Sequence, residues 1–438
     1  MNKVGVRNWF ALIIAGLVGQ FAWTIENMFL NLYIFEQTQD AGYVPWMVAF
    51  SAAAATITTL LMGALSDRLG KRKAFVSFGY IAWGLSVLSF AFITTDNMMI
   101  LFPASNAAML AGVFIIILDC LMTFFGSTAN DAAFNAFATD ISTPQTSGKI
   151  ESVLAILPLI SMLVIFGGFS GMAKDEGWFT FFLIFGLLTL ASGIASLFLF
   201  PKDIARRKKE ETYFKNIFYG FKPSVVKANP LLYITLLSFL AFAIAIQTFM
   251  PYFLIVIQEN LGFVGLDFTI IMGSVLLVAC LFTVLIGLFM DKIGKNKILL
   301  PALGVTLVGM VGMFFAKDIV FLIIAGIILM SGYMISTAVL GSKIRDYTPR
   351  QEVGLFQGIR MIFVVLIPMV TGPFIGQAAY MNTGEKYQNE YGISVKLPNE
   401  YIYLAAAIVL LLAIAPVIIF IIKDKQAKEK ATHHEEVK

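Results

Sequence analysis

Apolar residues in this chain fall into twelve runs long enough to cross a bilayer as helices, separated by short polar interruptions. They lie near 9–35, 44–66, 74–94, 107–139, 150–173 and 178–200, then near 229–258, 265–290, 297–316, 318–341, 353–381 and 400–422. Pro201–Asn229, rich in Lys and Arg, is the long polar linker between the sixth and seventh runs. The pattern predicts an all-α membrane protein with a six-helix bundle over 1–200, a linker over 201–228, a second six-helix bundle over 229–422 and a tail over 423–438.

The polar punctuation repeats. Gly63–Lys73, GALSDRLGKRK, returns as Gly287–Lys297, GLFMDKIGKNK. Gly63, Asp67, Gly70, Lys71 and Lys73 map onto Gly287, Asp291, Gly294, Lys295 and Lys297 at one offset of 224. Two further matches join the halves. FAWTIENMF at 21–29 resembles FAIAIQTFM at 242–250, pairing Glu26 with Gln247, and Asp140, Gly148 and Glu151 pair with Asp346, Gly354 and Gln357. Repeats in corresponding places predict two parallel halves with a site between them.

Charge sets the orientation. Assigning alternate connections to opposite sides puts 26 of the 31 Lys and Arg on one side and four on the other, leaving Arg360 inside an apolar run. The positive-inside rule then places both termini in the cytoplasm. Composition agrees with a lipid setting: 59% of the 438 residues are hydrophobic, 13% are charged, and the mean hydropathy is +0.84. The net charge of +4 sits in membrane-flanking loops, so no nucleic-acid partner is expected. Cys120 and Cys280 lie in apolar runs and read as small core residues, while His433 and His434 are in the tail. No metal ligand set, cofactor or nucleophile–His constellation is expected, and an enzyme is not. The first apolar segment is too long for a cleaved signal peptide.

Polar groups facing lipid are costly, so those inside the spans mark candidate sites. In the first helix Gln20, Trp23, Asn27 and Asn31 recur at spacings of three and four, with Glu26 beside them. Such a face suits a hydrated cavity, Trp23 offering a stacking surface and the amides hydrogen bonds to a polyhydroxylated solute; equally, the amides serve to join helices. In the fourth helix Asp119, Thr123, Ser127, Asp131, Asn135 and Thr139 stand four apart. Asp131 lies nine residues from Asp140, about 13 Å at 1.5 Å per residue, and is therefore well inside the span. Glu26, Asp119 and Asp131 are the candidates to take up and release a coupling proton. Gln20, Trp23, Glu26, Asn27, Asp131, Asn135, Gln247 and Arg360 are the candidates for the solute. Arg360 would pair with Asp131 or Glu151, as a switch or as a fixed bridge.

The repeated charged hairpin resembles the loop between helices 2 and 3, and again 8 and 9, of the major facilitator superfamily. The resemblance implies twelve helices in two pseudo-symmetric bundles and a gate motif carried by Gly63, Asp67, Arg68, Gly70, Asp291 and Lys292. NDAAFNAFATDIS at 130–142 is similar to the helix-4 segment of the glycoside–pentoside–hexuronide:cation symporters, the melibiose-permease group, through Asp131 and Phe134. There it implies an aspartate at the sugar and cation sites. QFAW at 20–23 resembles helix 1 of proton-coupled sucrose transporters. Ala55, Thr59, Gln20 and Val364 stand where the melibiose group has charged residues, which argues against its sodium site and for a proton.

The expectation is thus a secondary transporter of a sugar or glycoside, coupled to protons, acting as a monomer in a plasma membrane of bacterial type. An exporter of amphipathic or drug-like compounds is the alternative. A non-transporting receptor is disfavoured by the absence of a sizeable soluble domain.

Overall fold

The computed structural model describes residues 5–436 except 104, 143–145, 174–176, 202–218, 350–352, 385 and 390, with side chains also left aside at 67, 147–148, 151–152, 291, 353–355 and 427–436. Eleven helices among the described residues are long and apolar enough to cross a membrane. They are α1 (Val6–Thr38), α2 (Ala41–Ser66), α3 (Arg72–Phe90), α4 (Ala107–Asp140), α6 (Gly177–Leu199), α7 (Pro230–Asn260), α8 (Gly265–Met290), α9 (Lys295–Phe315), α10 (Ile319–Tyr347), α11 (Phe356–Thr383) and α12 (Tyr401–Gln426). The fifth apolar run forms α5 (Ser147–Gly168), whose apolar stretch Val153–Gly168 is shorter. All twelve runs read from the sequence are therefore helical, and the long linker falls largely in 202–218, outside the described residues.

The chain divides into two compact units. The first comprises Met1–Tyr213 with Pro251–Gly273 and Gly384–Pro398; the second comprises Phe214–Met250, Ser274–Thr383 and Asn399–Lys438. The end of α7 and the start of α8 thus belong to the first unit, where Thr269 shares a hydroxyl contact of 3.1 Å with Ser170. One small departure from all-helical structure is an antiparallel hairpin of β1 (Lys386–Gln388) and β2 (Ser394–Lys396) between α11 and α12. It also belongs to the first unit: Tyr387 donates to the Gln39 carbonyl (3.2 Å) and Tyr391 to that of Gln37 (3.4 Å), at the end of α1. Burial, with Asp40 and Glu259 nearby, pushes the Tyr387 hydroxyl up to about 12, so it keeps its proton at neutral pH.

Each unit has a closely packed apolar interior and an apolar exterior. In the first, Phe29 meets Phe166 and Phe181 at ring distances of 4.9 and 5.1 Å, and Tyr33 meets Trp178 at 5.0 Å, all buried. Large apolar side chains such as Phe198 and Leu288 face outward, as expected where the solvent is lipid. Small residues let helices touch. A Cβ on Gly84 of α3 would lie 2.4 Å from the backbone nitrogen of Leu190 in α6. Gly84→Leu is expected to cost at least ~3 kcal/mol, the upper end of overpacking penalties, and to lower the thermal midpoint of the detergent-purified protein. The repeated hairpins end α2 and α8 with a backbone that favours glycine, Gly70 at φ 62° and Gly294 at φ 95°.

Four membrane helices contain a stretch with i→i+5 bonding: Ile25–Phe29 in α1, Ser127–Phe134 in α4, Val256–Asn260 in α7 and Ile362–Leu366 in α11. Such widened turns re-aim side chains and concentrate at working sites. The first two carry Glu26 and Asp131, two of the candidate proton-carrying residues.

Candidate functional site

The first unit gathers a polar cluster from α1, α2 and α4. Glu26 is 6% exposed and Asp119 1% exposed. Glu26 Oε1 accepts from the Ser51 hydroxyl at 2.7 Å and the Thr123 hydroxyl at 2.8 Å, and those two hydroxyls lie 2.8 Å apart. Asp119 stands against Ser51 and within electrostatic reach of Glu26. Glu26 Oε2 and Asp119 Oδ1 are buried with no hydrogen-bond partner among the described residues. Taking a carboxylate oxygen out of solvent without a protein donor is costly.

Ser51 and Thr123 each own one hydroxyl hydrogen. The triangle they form with Glu26 Oε1 has three short oxygen–oxygen contacts, and Ser51 also faces Asp119. Two hydrogens cannot fill three bonds. A proton on Glu26 Oε1 would supply the third bond; one on Asp119 would lie outside the triangle.

A second layer stands around Trp23. Its indole packs on Trp83 at 5.0 Å, and its Nε1 donates to Asn130 Oδ1 at 3.4 Å. Asn130 donates to the Tyr80 hydroxyl at 2.7 Å, and Tyr80 donates to the Ala15 carbonyl at 2.6 Å. The chain Trp23–Asn130–Tyr80 fixes the angle of the indole, which is half-buried. Asp131 is half-buried as well, its Oδ2 accepting from Ser127 at 3.1 Å. Asp131 lies within electrostatic reach of Glu26.

The remaining sequence candidates take different places. Asn27 and Asn135 are exposed, each donating one turn back to a carbonyl of its own helix, at 2.8 and 3.2 Å. Asn31 is buried and does the same at 2.8 Å. Gln20 is half-buried on α1. In the second unit, Gln247 sits where α7 meets α11, its Cβ 2.5 Å from the position a side chain on Gly372 would take. Arg360 lines a cavity of that unit. Of the gate motif, Gly63 lies within the end of the α2 helix, Arg68 and Lys292 are exposed, and the side chains of Asp67 and Asp291, like that of Glu151, fall outside the described residues.

Sequence reasoning missed three features. Ser51 was hidden in a run of alanines and threonines, where nothing but helical register could single it out. Arg72 pairs with Asp140 in the first unit, and Lys295 with Asp346 at 2.7 Å in the second; the Asp140–Asp346 match held that signal. The third is a correction. The charge count leaves Arg360 alone inside an apolar run, with Lys343 just beyond the run 318–341. Lys343 is instead buried near the end of α10, 3.0 Å from Asp424, with side chains 4% and 2% exposed. Tyr347 and Asn296 also donate to Asp424, and Lys343 lies 5.4 Å over the Phe420 ring.

Among solved structures, a D-xylose-proton symporter shares 14% identity with a TM-score of 0.70, over 94% of this chain and 97% of that one. The nucleoside transporter NupG shares 14% with a TM-score of 0.62, over 95% and 98%. A bacterial homologue of the human lysosomal transporter Spinster shares 12% with a TM-score of 0.60, over 95% of both chains. At these identities the likeness establishes the fold. A curated relative, autophagy-related protein 22 of Candida albicans (strain SC5314 / ATCC MYA-2876), is 22% identical over 241 residues, 52% of this chain. The match spans about half that relative's length, 46%. The family model of the Major Facilitator Superfamily matches residues 12–344 and again 235–437, so the chain belongs to that superfamily of membrane transporters.

Proposed function

We propose that this transporter moves a sugar or glycoside across the membrane together with a proton, by alternating access of its two six-helix halves. The observation that carries the reading is the missing hydrogen in the Glu26–Ser51–Thr123 triangle beside Asp119. Glu26 and Asp119 hold the proton in a buried pocket, and Asp131, half-buried, passes it to or from the solute pathway. Trp23, held by Asn130 and Trp83, supplies the flat surface on which a sugar ring stacks. Gln20, Asn27 and Asn135 of the first unit supply hydrogen bonds to its hydroxyls. The hairpin residues Asp67, Arg68, Asp291 and Lys292 gate the side that also holds both termini, which is cytoplasmic. The working unit is one chain in a bacterial inner membrane. The similarity in fold to a D-xylose-proton symporter and a nucleoside transporter is compatible with this reading.

The test is uptake by proteoliposomes across a panel of sugars, nucleosides and lipophilic cations, with and without an inward proton gradient. The expected result is gradient-driven uptake of a sugar or glycoside, lost in Asp131→Asn. Uptake confined to lipophilic cations would replace the sugar reading with the exporter reading. Full gradient-driven accumulation by Asp131→Asn would remove Asp131 from the coupling path.

A further inference from the structure

We infer that Gly19 and Gly126 are positioning residues for the transported solute, because the space they leave sets where the Trp23 ring stands. The inference deepens the solute reading of Trp23 and rests on it. Each glycine stands against one of the groups that hold this ring. A Cβ on Gly126 of α4 would lie 2.8 Å from Trp83 Cε2 and Cζ2 and 3.1 Å from Trp23 Cη2. A Cβ on Gly19 of α1 would lie 2.3 Å from Asn130 Nδ2 and 2.5 Å from the Tyr80 hydroxyl. Trp83 is the surface on which Trp23 packs, and Asn130 accepts from the Trp23 indole N–H.

Backbone geometry does not require glycine at 126. Its φ of −60° and ψ of −49° are ordinary helix, where glycine is less favourable than alanine. Gly19 also lies inside a helix. What a side chain lacks at both positions is room. Trp83, Tyr80 and Asn130 are 0%, 0% and 4% exposed, so none of them can swing aside into open space. A closely packed interior passes such strain to whichever neighbour is free to move. Here that neighbour is Trp23, which is half-buried and joined to Asn130 by a bond of 3.4 Å. Alanine at either position therefore displaces the face on which a sugar ring stacks. The strain from position 126 arrives chiefly through Trp83, which supplies a suppressor. Trp83 Nε1 has no hydrogen-bond partner among the described residues, so Trp83→Phe trims the ring edge facing Gly126 and breaks no described hydrogen bond.

Indole N–H cross-peaks in NMR spectra of the full chain, isotope-labelled at tryptophan nitrogen and purified in detergent, test this without any solute. The chain has five tryptophans, and Trp23→Phe assigns the Trp23 cross-peak by its loss. Gly126→Ala should move that cross-peak and leave those of Trp9, Trp46 and Trp178 in place. Gly19→Ala, acting through Asn130, should move it too. Gly273→Ala, at a helical glycine with open space around it, should not. In a Trp83→Phe background the shift caused by Gly126→Ala should shrink by more than half. Uptake of labelled D-xylose, sucrose and melibiose by proteoliposomes then reads the link to solute. Both alanine variants should raise the half-saturating concentration of the sugar taken up by about tenfold, the upper end of what one ring stack contributes, with protons per sugar unchanged. A Trp23 cross-peak that stays in place in both alanine variants would overturn the inference, as would a moved cross-peak with an unchanged half-saturating concentration. Uptake of none of the three sugars by wild-type vesicles would count against the sugar reading, while the cross-peak shifts would still support the hold of the two glycines on Trp23. Size-exclusion profiles identify any variant that does not fold. Should Gly126→Ala be one, Gly126→Ala/Trp83→Phe should fold, and its failure would overturn the role given to Gly126.

Discussion

Glu26→Gln is expected to abolish solute accumulation while leaving downhill movement and exchange intact. A proton gradient of one pH unit is worth about 1.4 kcal/mol, so a transporter moving one proton per solute accumulates its solute about tenfold at equilibrium. A side chain that cannot release a proton leaves the ratio at one. Glutamine is the informative replacement because its shape is nearly that of glutamate and its amide oxygen still accepts from Ser51 and Thr123. What it lacks is the removable hydrogen that closes the triangle. Asp119→Asn should act in the same direction, since Asp119 shares Ser51 with Glu26. The double variant should be no worse than either single one, because a pair that holds one proton fails once. Equilibrium accumulation of labelled solute in proteoliposomes, against counterflow in the same vesicles, separates coupling from transport. An additive loss in the double variant would mean two separate proton sites.

Lys343→Met is expected to destabilise the second unit strongly. Removing one partner of a buried ion pair leaves the other charge uncompensated and costs about 3–5 kcal/mol. Here the orphan is Asp424, which also receives Tyr347 and Asn296 and is 1% exposed. Asp424→Leu should cost a similar amount by stranding the Lys343 ammonium. The double change Lys343→Met/Asp424→Leu should recover most of the loss, since apolar replacements of similar volume suit that site. Thermal unfolding in detergent, compared across the four proteins, reads the effect. If the double variant is as unstable as the two losses added together, the pair is not a unit and each residue has a separate role.

The helical architecture was largely legible in the sequence, and the contrast with the site is instructive. Twelve runs, the repeated GxxxDRxGKRK-like hairpin and the offset between Asp140 and Asp346 all reflect backbone and lipid, which constrain sequence in one dimension. Glu26, Asp119 and Asp131 stood out because charge within apolar runs is conspicuous. Ser51 did not, because a serine among alanines is unremarkable until a glutamate from another helix reaches it. A linear pattern places Lys343 and Asp424 in a loop and the tail, because charge marks helix ends; their mutual neutralisation in three dimensions lets α10 and α12 carry them inward. The widened turns at Ile25–Phe29 and Ser127–Phe134 left no mark in the residue pattern either, since i→i+5 bonding is a matter of packing between helices. The hairpin at Lys386–Lys396 escaped for a simpler reason: three-residue strands are too short to show alternation.

In the proposed cycle solute and proton cross together, the proton by way of the Glu26–Asp119 cluster. Adding solute to lightly buffered proteoliposomes, with no imposed gradient and a pH electrode in the medium, tests it most directly. The wild-type protein should alkalinise the medium on solute addition, by an amount that Glu26→Gln abolishes even where its exchange of solute persists. A medium whose pH stays flat while the wild-type vesicles fill with solute, or an undiminished pH change in Glu26→Gln, would contradict the account.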